Sequence, residues 1–461
     1  MNILYIGGGF VGACSAAVSA DSGHQTLVYD LDERKVQLLS ANDRDTVESC
    51  LFEEGLGDLL IRNRERIIFT TDYARVAAFL DTADAVFLCV PTPEIGATGE
   101  SDLRYYFAAA EKLAETLAKR NAGRQDKYVV IVNKSTVPIE LVDQTESIMR
   151  ERGVENFGVV SNPEFLVEGK AIEGSIRPDR VVVGASREKD FAIMRQVYRR
   201  FYDATGISYL EVTPTEAAAG KLLANFCLFN RLAVSFDVVG RTCESFSDIR
   251  YEQIRKILTT DPRIGSWGFY NSLYAGGSCF GKDARSLAHQ LRTAGENGVL
   301  VDETYLANQR QLERFLGRAE KDAAFSWTDK TVALLGLAFK QDTNDVRNSP
   351  ATPIVNFLRE QRVRQIRAYD PTAMENFKGE FPPAENMVYG TDEWQTMAGS
   401  DVIIIATDWP QLRGLADTLP ERLPGRPLIM DGRRLWHHRY ADLQAAGFSI
   451  IAVGSPFLRK V

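Results

Sequence analysis

Ile3-Leu4-Tyr5-Ile6-Gly7-Gly8-Gly9-Phe10-Val11-Gly12 opens the chain and decides its fold. The apolar run Ile3 to Ile6 reads as a buried parallel strand. Gly7, Gly9 and Gly12 then supply the pattern G-x-G-x-x-G, and the small residues Ala13 to Ala20 suit a helix laid closely on that strand. Thr26 to Tyr29 reads as a second strand and ends at Asp30, roughly 20 residues past the glycines. This order is a dinucleotide-binding arrangement. The glycines admit a pyrophosphate to the helix N-terminus, and the acid accepts from ribose hydroxyls. Asp30 favours NAD over NADP because a carboxylate repels a 2′-phosphate, and Lys35 nearby softens that preference.

Further strands follow in the same block: Ala85 to Val90, Val129 to Val132, Val159-Val160 and Val181 to Gly184, the last closing the set. In a doubly wound sheet, ligands lie beyond the carboxyl ends of the strands. Thr136, Glu164 and Glu168 all fall there, although loop capping commonly explains a single Thr or Glu. From Thr215 to about Thr242 apolar residues recur at helical spacing, which predicts a helix of ~28 residues and ~42 Å. Such a helix is long enough to join two domains and to offer a dimer face. Lys221 and Asn225, four apart, share one side of it.

A single thiol stands in Gly276-Gly277-Ser278-Cys279-Phe280-Gly281-Lys282-Asp283. Glycines let backbone approach a ligand, and a cysteine beside positive charge can ionise and act as a nucleophile. An isolated cysteine is more often a small buried residue, but this one lies between two nucleotide-sized blocks. The second block begins at Thr331 to Gly336 and continues with strands ending at Asp370, Asp408 and Asp431. It echoes the first block without its glycine fingerprint, so it is expected to take a different ligand.

The totals narrow the classes. A chain of 461 residues needs two or three domains. A net charge of −8 leaves no basic footprint for nucleic acid. The six cysteines are scattered without a CxxC pair, which argues against a structural metal and for a reducing, cytoplasmic setting. The amino terminus starts directly as a strand, without signal-peptide character, and no apolar run of about 18 residues suggests a membrane span.

Taken in order, these segments resemble the UDP-glucose and GDP-mannose dehydrogenase family over nearly the whole chain. The resemblance rests on Gly7 to Gly12, Ser135-Thr136-Val137-Pro138, Asn162-Pro163-Glu164-Phe165-Leu166 with Glu168-Gly169, and Lys221 with Asn225. It extends through Arg263-Ile264-Gly265, Gly276 to Asp283, and Gly336-Leu337-Ala338-Phe339-Lys340 with Asp345 and Arg347. It implies two Rossmann-like α/β domains with doubly wound parallel sheets, joined by a long central helix. The expected division is an NAD domain over 1–205, a central helical region with the catalytic cysteine over 206–322, and a nucleotide-sugar domain over 323–461.

The resemblance also implies an activity: NAD-dependent four-electron oxidation of a nucleotide sugar, UDP-glucose first, from primary alcohol to carboxylate. Cys279 would hold the substrate as thiohemiacetal and then thioester. Lys221 and Asn225 would stabilise developing oxyanions, Asp283 with a water near Thr136 would serve as base, Glu168 would activate the hydrolytic water, and Glu164 would tune that site. On the cofactor side it assigns Gly7, Gly9, Phe10, Val11, Gly12, Asp30, Lys35, Thr92, Thr136, Glu168, Lys282 and Arg347. On the substrate side it assigns Glu164, Phe165, Leu166, Lys221, Asn225, Arg263, Tyr274, Gly276 and Lys340, with Arg263 reaching a diphosphate across a homodimer or higher oligomer. No metal is expected.

The chain departs from the family pattern in several places. Tyr274-Ala275 precedes the glycine pair where Gly-Phe is usual, Gly281 replaces a proline, and Ile139-Glu140 replaces Gly-Thr. Val167 replaces an arginine, and Ser49 to Leu56 replaces a proline-rich stretch. GDP-mannose or a UDP-N-acetylhexosamine is the alternative substrate. A two-electron dehydrogenase is the competing activity, and it would explain neither the thiol nor the second block. A regulatory protein on a dead scaffold would have lost Cys279, Lys221 or Asp283.

Overall fold

The computed structural model describes residues 1–96, 98–121, 127–139, 141–270 and 272–461, so Glu140 falls outside the described residues. The chain divides into two compact units, Met1–Ala224 and Asn225–Val461.

The first unit is built on eight strands: β1 (Asn2–Ile6), β2 (Gln25–Tyr29), β3 (Ile67–Thr70), β4 (Ala85–Leu88), β5 (Val129–Asn133), β6 (Phe157–Ser161), β7 (Arg180–Gly184) and β8 (Ser208–Val212). Their spatial order is β3-β2-β1-β4-β5-β6-β7-β8, with the switch point between β1 and β4. Ile3 of β1 lies beside Thr26 on one side and Ala85 on the other, both in parallel register. The apolar runs follow from burial on both faces, which parallel strands require. Tyr5 and Phe87 stack at 4.8 Å between ring centroids, in the core. Ala13, Ala16, Ala17 and Ala20 of the Phe10–Asp21 helix are fully buried, so their small side chains bring helix and sheet close.

Two features differ from the sequence expectation. Val181 to Gly184 does not close the set, because β8 pairs with β7 at the sheet edge. Its Ser-Tyr-Leu-Glu-Val run keeps partial exposure throughout, so it lacks the apolar signature of a buried strand. Furthermore, β6 meets β7 antiparallel at Ser161 and Gly184, which reverses the last two strands against the first six.

The Pro214–Ala233 helix contains the division between the units. It continues through a π-helical stretch, Val234–Gly240, into Arg241–Ser245, 32 residues in all. It is thus longer than the ~28 residues its apolar spacing suggests. By length and apolar content this helix is able to cross a membrane, a feature the search for unbroken apolar runs overlooks. Phe229 and Phe236 are instead buried with Ala284, Leu287 and Val301 in a core cluster of the second unit.

The second unit carries a six-stranded sheet: β9 (Thr331–Leu335), β10 (Gln365–Tyr369), β11 (Met387–Tyr389), β12 (Val402–Ile405), β13 (Leu428–Asp431) and β14 (Ile450–Ala452). The order β11-β10-β9-β12-β13-β14 repeats the switch of the first sheet, and every pairing is parallel. The acids ending the second strand of each sheet differ in their engagement. Asp30 keeps 12% of its side chain exposed. Asp370 is fully buried and accepts from the backbone N–H groups of Leu337 and Ala338 at 2.7 and 3.0 Å and from the Trp409 indole at 2.9 Å. Both acids hold the turn after the first strand of their sheet, but only Asp370 is also capped by an indole and closed off completely.

Candidate active site

In the first unit, the turn after β1 leaves room for a dinucleotide. Gly7 has φ +105°, and a Cβ on Gly12 would stand 1.9 Å from the Gly7 carbonyl oxygen, so only glycine brings turn and helix this close. A Cβ on Gly9 would meet nothing within 4 Å, which leaves open space at the first turn of the helix. The Asp30 carboxylate accepts from the Gly8 N–H at 2.7 Å and pairs with Lys35 Nζ at 3.1 Å. Phe10 and Val11 begin the helix whose N–H groups face this space. The residues present fit NAD here.

Beyond β5 and β6 the same unit gathers the expected loop residues. Thr92 Oγ1 donates to the Thr136 carbonyl at 2.8 Å, tying together the loops after β4 and β5. Lys221, 5% exposed, places Nζ 3.0 Å from Glu164 Oε1, and Glu164 Oε2 accepts from the Leu166 N–H at 2.6 Å. Arg180 stacks over the Phe165 ring at 3.8 Å, and Lys221 Nζ lies 5.4 Å from the same ring. Glu168 is half-buried in the turn that follows.

Lys134, next to Ser135 and Thr136, went unremarked in the sequence reading. It is 7% exposed and donates to Asn162 Oδ1 at 3.0 Å and to the Tyr198 hydroxyl at 3.3 Å. It bridges the loops that carry Thr136 and Glu164. Burial pushes its amine below the usual lysine range and pushes the neighbouring Cys89 thiol up to about 12. These loops and Tyr5, Val18 and Phe201 also line a cavity of about 370 Å³.

In the second unit, Cys279 is exposed and heads the Phe280–Thr293 helix, with its carbonyl accepting from the Asp283 N–H at 2.8 Å. The helix dipole favours negative charge at that end. Asp283, 1% exposed, accepts from Asn225 Nδ2 at 2.6 Å and from Lys282 Nζ at 2.7 Å. The thiol, a buried carboxylate, an amide and an ammonium are thus organised by one helical turn and its neighbour.

The thiol loop is fixed from behind. Gly277 has φ +85°, and the Phe339 ring lies against it. Tyr274, expected against a substrate, is 5% exposed; its hydroxyl donates to Asn348 Oδ1 at 2.6 Å and accepts from Gln309 at 3.1 Å. Asn308 brackets the Ala275 backbone, accepting at 2.7 Å and donating at 3.1 Å. Gln311 donates to the Ser272 carbonyl at 2.9 Å. Asn308, Gln309 and Gln311 were not singled out from the sequence. Their signal was an amide-rich stretch in an amphipathic helix, with Asn308 and Gln311 on the buried face.

Four residues expected at a ligand meet neighbouring groups of the chain itself. Arg263 turns onto Asp261 with 88% of its side chain exposed, and Arg347 turns onto Asp345. Lys340 Nζ lies 5.8 Å from the Phe339 ring, and Gly276 packs against the Asn348 carbonyl.

Three regions of the chain match models of one family, described as UDP-glucose/GDP-mannose dehydrogenase. They are the NAD-binding domain over residues 1–202, the central domain over 215–310 and the UDP-binding domain over 333–438. The UDP-glucose 6-dehydrogenase TuaD of Bacillus subtilis (strain 168) is 32% identical over 99% of this chain and 94% of its own length. The UDP-glucose 6-dehydrogenase of Rhizobium meliloti (strain 1021) is 32% identical over 99% of this chain and all of its own. Among solved structures, a UDP-glucose dehydrogenase from Pyrobaculum islandicum superposes with a TM-score of 0.84 at 28% identity, covering 95% of each chain. A UDP-D-ManNAc dehydrogenase from Pyrococcus horikoshii shares the fold, with a TM-score of 0.81 at 22% identity over 98% of this chain and 99% of that one.

Proposed function

The chain belongs to the UDP-glucose/GDP-mannose dehydrogenase family, and we propose that it oxidises UDP-glucose at C6 to UDP-glucuronate with two equivalents of NAD. The observation that carries this reading is the exposed Cys279 at a helix N-terminus, one turn from the buried Asp283. The choice of UDP-glucose is supported by the names of the most similar relatives and by Ser278, not histidine, before the thiol.

NAD, when bound, supplies a hydride acceptor for each of the two oxidations. Asp283, with a water near Thr136, takes the hydroxyl proton as the first hydride leaves C6, giving an aldehyde. The Cys279 sulfur adds to that carbonyl, forming a C–S bond and a thiohemiacetal. Loss of the second hydride and a proton gives a thioester. A water activated by Glu168 cleaves the C–S bond and returns the thiol and a carboxylate. Lys221 and Asn225 carry the oxyanion charge that develops, and Glu164 holds Lys221 in place. The thiol keeps the aldehyde bound between the two oxidations, which a simple alcohol dehydrogenase has no need to do.

The functional division into 1–205, 206–322 and 323–461, a cytoplasmic location and a homodimer belong to the same proposal. Val234 and Val238, exposed on the long helix, support its use as a dimer face.

The test is NADH formed per sugar consumed with UDP-glucose and excess NAD. Two NADH and a uronic acid support the reading. One NADH per sugar sinks the thioester route. No turnover with UDP-glucose, but turnover with GDP-mannose or an N-acetylated UDP-sugar, moves the substrate and keeps the chemistry.

A further inference from the structure

Glu53 lies far from every residue assigned to the chemistry in sequence, in the Ser49 to Leu56 stretch that departs from the family pattern. It is nonetheless fully buried, 0% exposed. A buried carboxylate is costly unless hydrogen bonds compensate it. Phe52, at φ 54°, ends the Arg44–Leu51 helix in a left-handed turn, and Glu53 follows it directly. The Glu53 carboxylate accepts from the Gly169 N–H through Oε1 and from the Ala171 N–H at 2.8 Å through Oε2. Gly169 has φ +81°, and the Lys170 N–H closes the turn on the Val167 carbonyl at 2.9 Å. The residue at the corner of that turn is Glu168.

We infer that Glu53 is a positioning residue for Glu168: its carboxylate holds the Gly169 and Ala171 N–H groups, one and three residues past Glu168 on the chain, and so fixes where the Glu168 side chain starts. A charged acceptor bonded to two N–H groups holds them about twice as strongly as a neutral one. The turn contains a glycine at positive φ and is closed by the Lys170–Val167 backbone bond, and the Glu53 clamp adds two further restraints on its shape. The inference rests on the reading that Glu168 activates water for thioester hydrolysis. It predicts that Glu53 acts on the last step and leaves the two oxidations alone.

The experiment is rapid-mixing turnover of the full-length enzyme with UDP-glucose and NAD, with intact-mass detection of the acyl-enzyme on Cys279. E53Q keeps the shape of the side chain but turns its amide donor toward one backbone N–H. E53D keeps the charge and shortens the reach, so the measurement survives if E53Q folds poorly. The expected result in either variant is an NADH burst of wild-type amplitude per folded enzyme. Steady-state turnover then falls about tenfold or more, with the thioester accumulating. A proportional loss of burst and turnover would assign Glu53 a merely structural role and overturn the inference. So would an unchanged hydrolysis rate in both variants. E168Q is run beside them. If E168Q accumulates thioester while both Glu53 variants do not, the positioning role alone falls. If E168Q hydrolyses its thioester normally, the reading beneath the inference falls, and the inference with it.

Discussion

Asn225 donates from Nδ2 to the buried Asp283 carboxylate at 2.6 Å, and Lys282 Nζ takes the other oxygen at 2.7 Å. Each oxygen of this buried carboxylate therefore has its own donor. An acid so held is oriented to accept a proton without rotating first.

Asn225→Ala removes one donor from the buried Asp283 carboxylate. The expected stability loss is about 1–3 kcal/mol. Asp283→Asn keeps the shape and removes the base, and turnover should fall by about 10²–10⁴ with Tm little changed. Thermal unfolding and steady-state NADH formation on both variants check this. Near-normal turnover in Asp283→Asn would remove Asp283 from the proton step.

Cys279→Ser should bind cofactor normally and form no thioester. The exposed thiol supports no core packing, so Tm should stay at the wild-type value. Intact mass after mixing with UDP-glucose and NAD reads the adduct directly. Full turnover in this variant refutes covalent catalysis.

The Lys221–Glu164 pair separates folding from catalysis. Lys221→Met strands a largely buried carboxylate, so both Tm and turnover should drop, the latter by about 10²–10³. Adding Glu164→Gln removes the stranded charge and should restore Tm without restoring turnover. Recovery of both would make Lys221 a structural residue only.

Gly277→Ala tests the brace behind the thiol. At φ +85° a side chain costs about 1–2 kcal/mol, and its Cβ would stand 3.0 Å from the Phe339 ring. Lower Tm and weaker turnover are expected. Phe339→Ala creates space but leaves the backbone conformation as it was, so the double variant should stay impaired. Full rescue would show that crowding alone matters.

His24 gives the fold a pH dependence of known sign. Burial holds its imidazole below the usual 6.5, with Nε2 at 3.0 Å from the Val197 carbonyl. The unfolded chain then takes up a proton before the folded one. Stability is full above 6.5 and declines as pH falls through 6.5 toward the folded value. Each unit of depression is worth about 1.4 kcal/mol. His24→Gln should flatten Tm between pH 7 and 5; parallel curves for both proteins would contradict this.

The first sheet and the thiol loop were legible because each writes its physics locally. Strand, glycine turn, helix and acid between Ile3 and Asp30 are consecutive, and the apolar runs mark strands buried on both faces. Edge strand β8 was not legible, since partial exposure erases the run. Asp370 read as an echo of Asp30, and only the fold reveals that Trp409 and the turn above β9 consume it. Lys134, Asn308 and Gln311 were illegible for a related reason. Their partners lie 28 or more residues away, so no local pattern distinguishes a buried bridging amine or amide from a solvated one.

The junction between the two units has a consequence for how this protein can be recombined. It falls between Ala224 and Asn225, inside the unbroken Pro214–Ala233 helix. A chimera spliced there would join two half-helices from different parents and bring together a Lys221 and an Asn225 that had never been selected as a pair. A crossover at Thr213, ahead of the helix, inherits both from one parent. Exchange of halves among relatives is therefore expected to succeed when the whole helix travels with the carboxyl-terminal partner.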